Sequence, residues 1–115
     1  MRFKLVVATA RTDLTNIIVD AAKEKGATGA TIIPARGTGV NEARTFFGLS
    51  LEIQRDVMLF LVEEHLTRPV VDAIQEAGEF TKPGTGIAFV LDVEQVIGLE
   101  SQIPRFQKEV SQHYY

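Results

Sequence analysis

The stretch that most constrains the fold is residues 81–92, TKPGTGIAFVLD, in which a glycine loop runs directly into an apolar segment. Gly84 and Gly86 flank the small polar residue Thr85. Because glycine has no Cβ, a ligand can approach this backbone closely and its N–H groups can turn outward. Residues 87–91 have the length and composition of a buried strand. The stretch predicts a rigid core strand that is preceded by a loop able to bind an anion. The same tripeptide, Gly-Thr-Gly, occurs at residues 37–39 beside another apolar strand.

Composition limits the class of protein. A chain of 115 residues fits one domain and can bury roughly two-thirds of its unfolded surface. The absence of cysteine excludes disulfides, thiolate metal sites and cysteine nucleophiles. A net charge of −3 argues against nucleic acid as the main partner, and no apolar run approaches the roughly 18 residues of a membrane span. The apolar run after the N-terminus is too short for a signal peptide. We expect a cytoplasmic protein that is not inserted into a membrane.

The first half of the chain predicts strand, helix, strand. Residues 3–8 are apolar and rich in β-formers, and residues 30–34 form the second strand. Between them, Thr12 or Asp13 is predicted to cap a helix that ends at Gly26. The spacing i, i+3, i+4, i+7 predicts its buried stripe as Leu14, Ile17, Ile18 and Ala21.

The second half repeats this order. Residues 57–62 predict a third strand. A second helix is predicted to be capped by Thr67 and to end at Gly78, with Pro69 in its first turn. Residues 87–93 form the fourth strand, and residues 96–99 resemble a short return strand. The predicted buried stripe of the second helix is Val70, Val71, Ile74 and Ala77.

This order predicts an α+β fold, a ferredoxin-like βαββαβ split sandwich with a four-stranded antiparallel sheet and two helices on one face. Residues 57–62 and 87–91 are apolar on both sides, so the second face of the sheet must be covered, and self-association is the simplest cover. The predicted domain spans residues 1–99 with an extended loop over about 38–56. The tail, residues 100–115, has no assigned role, and Pro104 is expected to start a short helix in it.

The loop region leaves two interpretations open. Leu49, Leu51 and Ile53 alternate as in a hairpin strand, and Phe46-Phe47 before Gly48 is typical of a loop tip. Either these phenylalanines pack on their own domain, or they form an apolar loop that contacts another protein.

Catalytic and metal-binding patterns are absent from the sequence, so we predict no enzyme activity, no catalytic residues and no metal site. The two histidines, His65 and His113, have no partner at metal-ligand spacing. Glu63 and Glu64 are adjacent, and adjacent residues on a strand face opposite sides. No Walker loop or dinucleotide fingerprint is present. Lys82 is placed to meet a phosphate beside the glycine loop, the alternative being a plain turn before a strand.

The motif KPGTGI at residues 82–87, followed by AFVLDV at 88–93, resembles the PII signalling family, the trimeric nitrogen-regulatory proteins. The family's glycine loop runs Lys-Ile-Gly-Asp-Gly-Lys into Ile-Phe-Val-Phe-Asp-Val. Residues 37–41, GTGVN, stand where the family has Gly-Phe-Gly-Arg-Gln. The resemblance extends to about Leu99, and the Phe-Val-x-Asp-Val ending is its most specific part.

The resemblance implies a homotrimer with nucleotide clefts between subunits and a long loop that contacts a target enzyme or membrane transporter. In the family, a threonine and a valine contact adenine and both glycine loops wrap the nucleotide. The implied nucleotide-binding residues are Thr31, Gly37, Thr38, Gly39, Asn41, Val62, Lys82, Pro83, Gly84, Thr85 and Gly86. The implied partner-binding residues of the loop are Arg44, Phe46 and Phe47.

This chain departs from the family at the residues that bind phosphate. At four positions where the family has a cation, this chain has Ile87, Gly98, Glu100 and Asp56. Arg55, next to Asp56, is a candidate to replace the lysine that the family has at that position. Each lost charge-assisted hydrogen bond is worth roughly 1.5–3 kcal/mol. We therefore expect weak ATP binding and a less charged ligand, such as AMP, ADP, a cyclic nucleotide or a small anion, with magnesium left open because Asn41 replaces the family's glutamine. The other cations near the loop are Lys82, Arg36 and Arg44, and the tail could contribute Arg105 or Lys108.

The predicted function is that of a PII-like regulator that senses a small metabolite in its intersubunit clefts, needs no cofactor, and acts on a partner through residues 38–56. The alternative is a ligand-independent structural or metal-tolerance trimer of the same fold, like the copper-tolerance proteins. A small ferredoxin-like enzyme is disfavoured by the missing acid–base residues.

Overall fold

A computed structural model describes residues 1–37, 44–46, 49–51 and 53–113 of the protein. Its strands and helices, in chain order, are β1 (Phe3–Arg11), α1 (Thr15–Glu24), β2 (Thr31–Gly37), β3 (Arg44–Phe46), β4 (Leu49–Leu51), β5 (Ile53–Glu63), α2 (Thr67–Ala77), β6 (Gly86–Val93) and α3 (Ile103–His113). One 3-10 turn, Thr12–Leu14, precedes α1, and another, Glu64–Leu66, precedes α2.

The main sheet has four antiparallel strands in the order β2-β5-β1-β6. Helices α1 and α2 pack together on one face of it, which confirms the predicted ferredoxin-like sandwich. Strands β3 and β4 form a separate antiparallel hairpin, as the alternating residues predicted. In the chain this hairpin lies between β2 and β5.

The core lies between the sheet and the two helices. Alternate residues of β1 and β5 face the helices because side chains alternate along a strand. The buried residues on this side of the two strands are Val6, Ala8, Ala10, Met58, Phe60 and Val62. They pack against Ile18 of α1 and Val70 and Ile74 of α2. The opposite side of the sheet, which carries the odd-numbered residues of these strands, is called the second face below.

The predicted stripe of α1 is correct at Leu14 and Ile18 but wrong at Ile17, whereas the stripe of α2 is confirmed. Ile18, Val19 and Ala22 are buried, but Ile17 is 55% exposed. The cause is the 3-10 turn before α1, because 3.0 residues per turn shift the phase of the residues that follow relative to an α-helix. Both helices end at the predicted glycines, and Gly26 adopts φ 115°, where glycine is favoured.

The predicted helix caps are also wrong. Thr67 is the first residue of α2, and among the described residues its buried hydroxyl has no hydrogen-bond partner. Helix α2 itself has no side-chain cap, and the cap lies one turn earlier, where Glu63 Oε2 accepts a hydrogen bond of 2.9 Å from the His65 N–H of the 3-10 turn. At the first helix, the Thr15 hydroxyl donates to Asp56 Oδ2 at 2.6 Å, while Asp13 pairs with Arg11 at 3.2 Å.

The tail forms the expected helix, α3, and covers one end of the second face. Phe106 is 1% exposed, and its ring meets the Phe3 ring edge-on with centroids 5.0 Å apart. The return strand predicted at residues 96–99 is wrong: these residues form no strand, and Ile97 is 83% exposed. No helix of the described residues is both long and apolar enough to span a membrane.

Between α3 and the arginines at the other end, the second face is largely apolar and exposed in the part of the chain that the structure describes. Ile33, Ile87, Phe89 and Leu91 are between 45% and 62% exposed on it. This confirms that β6 is apolar on both sides, since Ala88 on its other side packs against the core. An apolar surface of this extent marks an interaction site.

The phase of α1 can be tested with neighbouring isoleucines. Ile18→Ala should lower the free energy of unfolding by about 2–5 kcal/mol, because it opens a cavity in the core. Ile17→Ala should change it by less than about 0.5 kcal/mol, because the side chain is exposed. Urea unfolding followed by circular dichroism measures both, and equal losses would contradict the observed phase.

Candidate functional site

The glycine loop between α2 and β6 is tied to the ends of the two central strands. The Arg11 N–H donates to the Thr85 carbonyl at 3.2 Å. The Arg55 guanidinium donates through Nη1 to the Gly84 and Thr85 carbonyls at 3.3 and 3.2 Å. Gly84 has φ 79°, a conformation that favours glycine. The loop is therefore held from one side by β1 and β5.

The Thr85 side chain builds this loop. Thr85 is 3% exposed, and its hydroxyl lies 2.9 Å from the Glu79 carbonyl and 3.0 Å from the Lys82 carbonyl, to which it donates. These contacts close the turn from inside. Because its side chain is buried, Thr85 can offer only its backbone to a ligand.

Gly86 is explained by packing. A Cβ on Gly86 would lie well inside van der Waals contact of the Thr9 carbonyl and 3.0 Å from the Ala10 Cα, and backbone atoms cannot move aside cheaply. By contrast, a Cβ on Gly37 would meet nothing within 4 Å. The two predicted glycines therefore differ: only Gly86 is required by the fold of one chain.

Arginines gather beside the glycine loop. Arg11 and Arg55 are direct partners in the β1–β5 register, on the second face. Burial, and then the neighbouring charge of Arg11, lower the pKa of the Arg55 guanidinium from its ordinary value. Arg55 and Arg36 line one cleft of about 290 Å³. The rest of this cleft is lined by Thr12, Pro34, Ala35, Gln54 and Asp56. The structure thus places the predicted stand-in, Arg55, next to the loop.

Lys82 lies apart from these arginines. Its Nζ is 3.0 Å from Glu79 Oε1, and both side chains are more than half exposed. The depression beside it is lined by carboxylates of α2 and the loop, with Asp72, Gln75, Glu76, Glu79 and Thr81 around Lys82. Pro83 is exposed next to it. The structure therefore does not bring Lys82 into the arginine cleft.

The two predicted adenine contacts lie on opposite faces of the sheet. Thr31 pairs with Leu59 and so belongs to the second face, whereas Val62 is 0% exposed among the helix-facing core residues. Alternation along β5 turns the Val62 side chain toward the core, so only its backbone could contact a ligand, and the predicted contact stays a prediction. Leu59 and Leu61 lie on the same side of the sheet as Thr31, as the alternation of β5 indicates. With Thr31 they line a cleft of about 230 Å³ that also includes Thr28, Gly29, Ala30, Leu99, Gln102 and Phe106.

Arg105 and Lys108 cannot replace the missing phosphate ligands within one protomer. Helix α3 packs on Phe3, at one end of β1, and the glycine loop contacts Arg11, at the other. Eight residue steps of a strand separate these ends by roughly 26 Å. This distance exceeds the reach of a side chain.

Glu63, Glu64 and His65 come together although adjacent strand residues would diverge. Their ligand atoms lie within 4.8 Å of one another, because β5 ends at Glu63 and the chain turns at once into a 3-10 helix. Glu63 is 2% exposed, and its Oε1 lies 2.6 Å from His65 Nδ1. Since both Glu63 oxygens contact His65, this group acts as the cap of the turn.

Some predicted residues lie in or beside the hairpin. Thr38, Gly39, Asn41 and Phe47 lie outside the described residues, and Arg44 and Phe46 are placed only as the two ends of β3. Their roles in binding a ligand or a partner stay predictions.

Comparison with known proteins decides the family. The family model described as nitrogen regulatory protein P-II matches residues 3–102. The chain belongs to the P-II family. The crystal structure of Arabidopsis thaliana PII bound to citrate is similar to it, with a TM-score of 0.69 and 24% sequence identity over 87% of this chain and 85% of that chain. A search of curated proteins gives no significant match. This P-II match stops one residue before α3, so α3 lies beyond the region that the family shares.

The two glycines provide a matched test of packing at the site. Gly86→Ala should lower the free energy of unfolding by about 1–3 kcal/mol or more, because the new methyl group collides with the β1 backbone. Gly37→Ala should change it by less than about 0.5 kcal/mol. Chemical denaturation measures both, and a neutral Gly86→Ala would show that β1 and the loop are not packed as described.

Proposed function

We propose that this P-II family member is a regulatory protein that binds a small anionic metabolite or an adenine nucleotide beside the glycine loop. The observation that carries the proposal is the arginine cleft, which Arg36 and Arg55 both line while Arg55 also donates to the loop carbonyls. The family is one of regulatory proteins rather than enzymes, which supports a binding function. A guanidinium group binds carboxylate or phosphate through two parallel hydrogen bonds.

The charges favour a small anion over a triphosphate. Arg11 of β1 and Arg55 of β5 supply positive charge in place of the lysine and arginines that the family has and this chain lacks. Arg36 adds a third cation nearby. Arg11 pairs with Asp13, but both side chains are substantially exposed, and such surface pairs contribute little. An arriving anion can therefore compete for Arg11. The Arabidopsis protein was crystallised with citrate, a tricarboxylate, and a ligand of this charge suits the cleft.

Arg55 links the ligand site to the hairpin. It holds the glycine loop, and it lies two residues after Ile53, where β5 begins directly beyond the β3–β4 hairpin. An anion that draws the Arg55 side chain toward itself weakens the hydrogen bonds between Arg55 and the loop carbonyls. The same movement shifts the start of β5. We propose that this movement changes how residues 38–56 present themselves to a partner, which is a target enzyme or a membrane transporter.

The second face supports a homotrimer. Its exposed residues Ile33, Ile87, Phe89 and Leu91 form an apolar surface that a second and third copy would cover. Trimer formation would bring glycine loops and neighbouring subunits together into clefts. We place this trimer in the cytoplasm, and propose no catalytic residue and no required cofactor for it.

A ligand-independent trimer is the second candidate. One observation favours it: packing within one chain accounts for both Thr85 and Gly86 of the loop. If no ligand binds, the glycine loop is a structural turn and the protein acts through its surface alone.

Calorimetric titration tests the ligand site. We expect binding of at least one among AMP, ADP, citrate, 2-oxoglutarate and bicarbonate, with ATP no tighter than ADP. Arg55→Gln should weaken that binding about 10- to 100-fold, as loss of a charge-assisted hydrogen bond requires. The control Arg68→Gln removes an exposed arginine of α2 and should leave it unchanged. No binding to the unmodified protein would contradict the proposal and favour the ligand-independent trimer.

Sedimentation measures the assembly. The unmodified protein should have three times the 12.7 kDa mass of one chain. Leu91→Asp should reduce this mass toward that of a monomer, because it buries a charge in the proposed interface. Ile17→Asp, which alters an equally exposed isoleucine on α1, should leave the trimer intact. A monomeric unmodified protein would contradict the assembly.

A further inference from the structure

We infer that the arginine cleft recognises a small acidic amino acid, with Asp56 as the group that binds the ammonium of this ligand. This inference rests on the proposed function and names a ligand class within it, namely an anion that also carries one positive charge. The cleft has a volume of about 290 Å³ and is lined by residues of β2, β5 and the 3-10 turn before α1.

Side chains of both charges line this one cleft. Arg36 and Arg55 contribute guanidinium groups, and Asp56 contributes a carboxylate. Among the described residues, Asp56 forms no ion pair, although two arginines line the same cleft. A carboxylate in the lining weakens the binding of a simple anion, because like charges repel. A ligand with separate positive and negative groups is therefore the better electrostatic match.

The Asp56 carboxylate is held by the first residue of α1. The buried Thr15 hydroxyl donates to Asp56 Oδ2 at 2.6 Å, the length of a charge-assisted hydrogen bond. This contact involves only one of the two carboxylate oxygens, each of which has acceptor capacity. Oδ1 is thus available to a ligand donor. Because the side chain is already fixed, it loses little conformational entropy when a ligand binds.

An acidic amino acid matches this lining group by group. Its two carboxylates suit Arg36 and Arg55, because a planar guanidinium binds a carboxylate through two parallel hydrogen bonds. Its ammonium has three N–H donors, one of which is for Asp56 Oδ1. The Thr12 hydroxyl and the Gln54 side-chain oxygen, which also line the cleft, are acceptors for the other two.

The same lining disfavours other cationic ligands. A metal ion or a simple amine brings positive charge without a carboxylate, so the two arginines repel it. The volume of the cleft lies near the lower limit of roughly 300 Å³ for ligand pockets, which suits a small metabolite. The positive group is therefore expected on a small molecule that also carries carboxylates.

Calorimetric titration of the full chain with two matched pairs of acids tests the inference. L-Aspartate and L-malate differ only in an ammonium or a hydroxyl at carbon 2, and so do L-glutamate and L-2-hydroxyglutarate. In at least one pair, the unmodified protein should bind the amino acid about tenfold more tightly than the hydroxy acid, because only the amino acid forms a charge-assisted hydrogen bond with Asp56.

Asp56→Asn should abolish this preference. The amino acid should bind about tenfold more weakly, because its ammonium loses the carboxylate. The hydroxy acid should bind at least as tightly as before, because a repelling charge is removed, and this retained binding also shows that the variant is folded. Asp20→Asn, which removes the same charge from an exposed position of α1, should leave the ratio of the two affinities unchanged.

The outcomes separate this inference from the proposed function. Equal affinities within both pairs, or a preference that survives Asp56→Asn, would overturn the role of Asp56 and leave an anion-binding regulator intact. Loss of both members of a pair on Asp56→Asn would also overturn it, because Asp56 would then shape the cleft. Binding of citrate or a nucleotide, with none of the four acids bound, would overturn the inference alone. No binding of any anion to the unmodified protein would overturn both.

Discussion

Strand β1 is the constraint on which the other elements depend. It pairs with β5 along its whole length and with β6 from Phe3 to Ala10. Its small residues Ala8 and Ala10 face the helices and are fully buried. Its two ends receive different structures, the tail helix at Phe3 and the glycine loop at Arg11. The length of this strand therefore sets the distance between the two halves of the candidate site.

The glycine loop has two physical roles that the structure separates. Gly86 and the Thr85 hydroxyl serve packing, because one lies against the β1 backbone and the other closes the turn. The charge that an anion needs comes from elsewhere, since Arg55 reaches the loop from β5. Positive charge therefore reaches the glycine loop from a neighbouring strand of the sheet.

Much of the fold could be predicted because its signals are local. The order of strands and helices, both helix ends at glycine and the apolar second face follow from periodicity and composition over a few residues. The errors have identifiable causes. The 3-10 turns displaced the caps and the phase of α1, since they differ from an α-helix by a few tenths of a residue per turn. Residues 96–99 form no strand in the described chain, although β2 and β6 are the edge strands of the sheet.

The candidate site was predictable in part. The family match agrees with the resemblance that suggested the site, and Arg55 lies beside the glycine loop, whereas the ligand contacts of Thr31 and the loop stay predictions. The face on which Val62 lies could not be predicted, because the face of a strand residue depends on register, which is set by pairing with β1 and β2. The sequence by itself determined the family, the element order and the apolar character of both faces. Only the tertiary structure decided that Arg55 holds the glycine loop and that α3 lies on Phe3, because contacts between residues remote in the chain depend on register and packing rather than on local propensity.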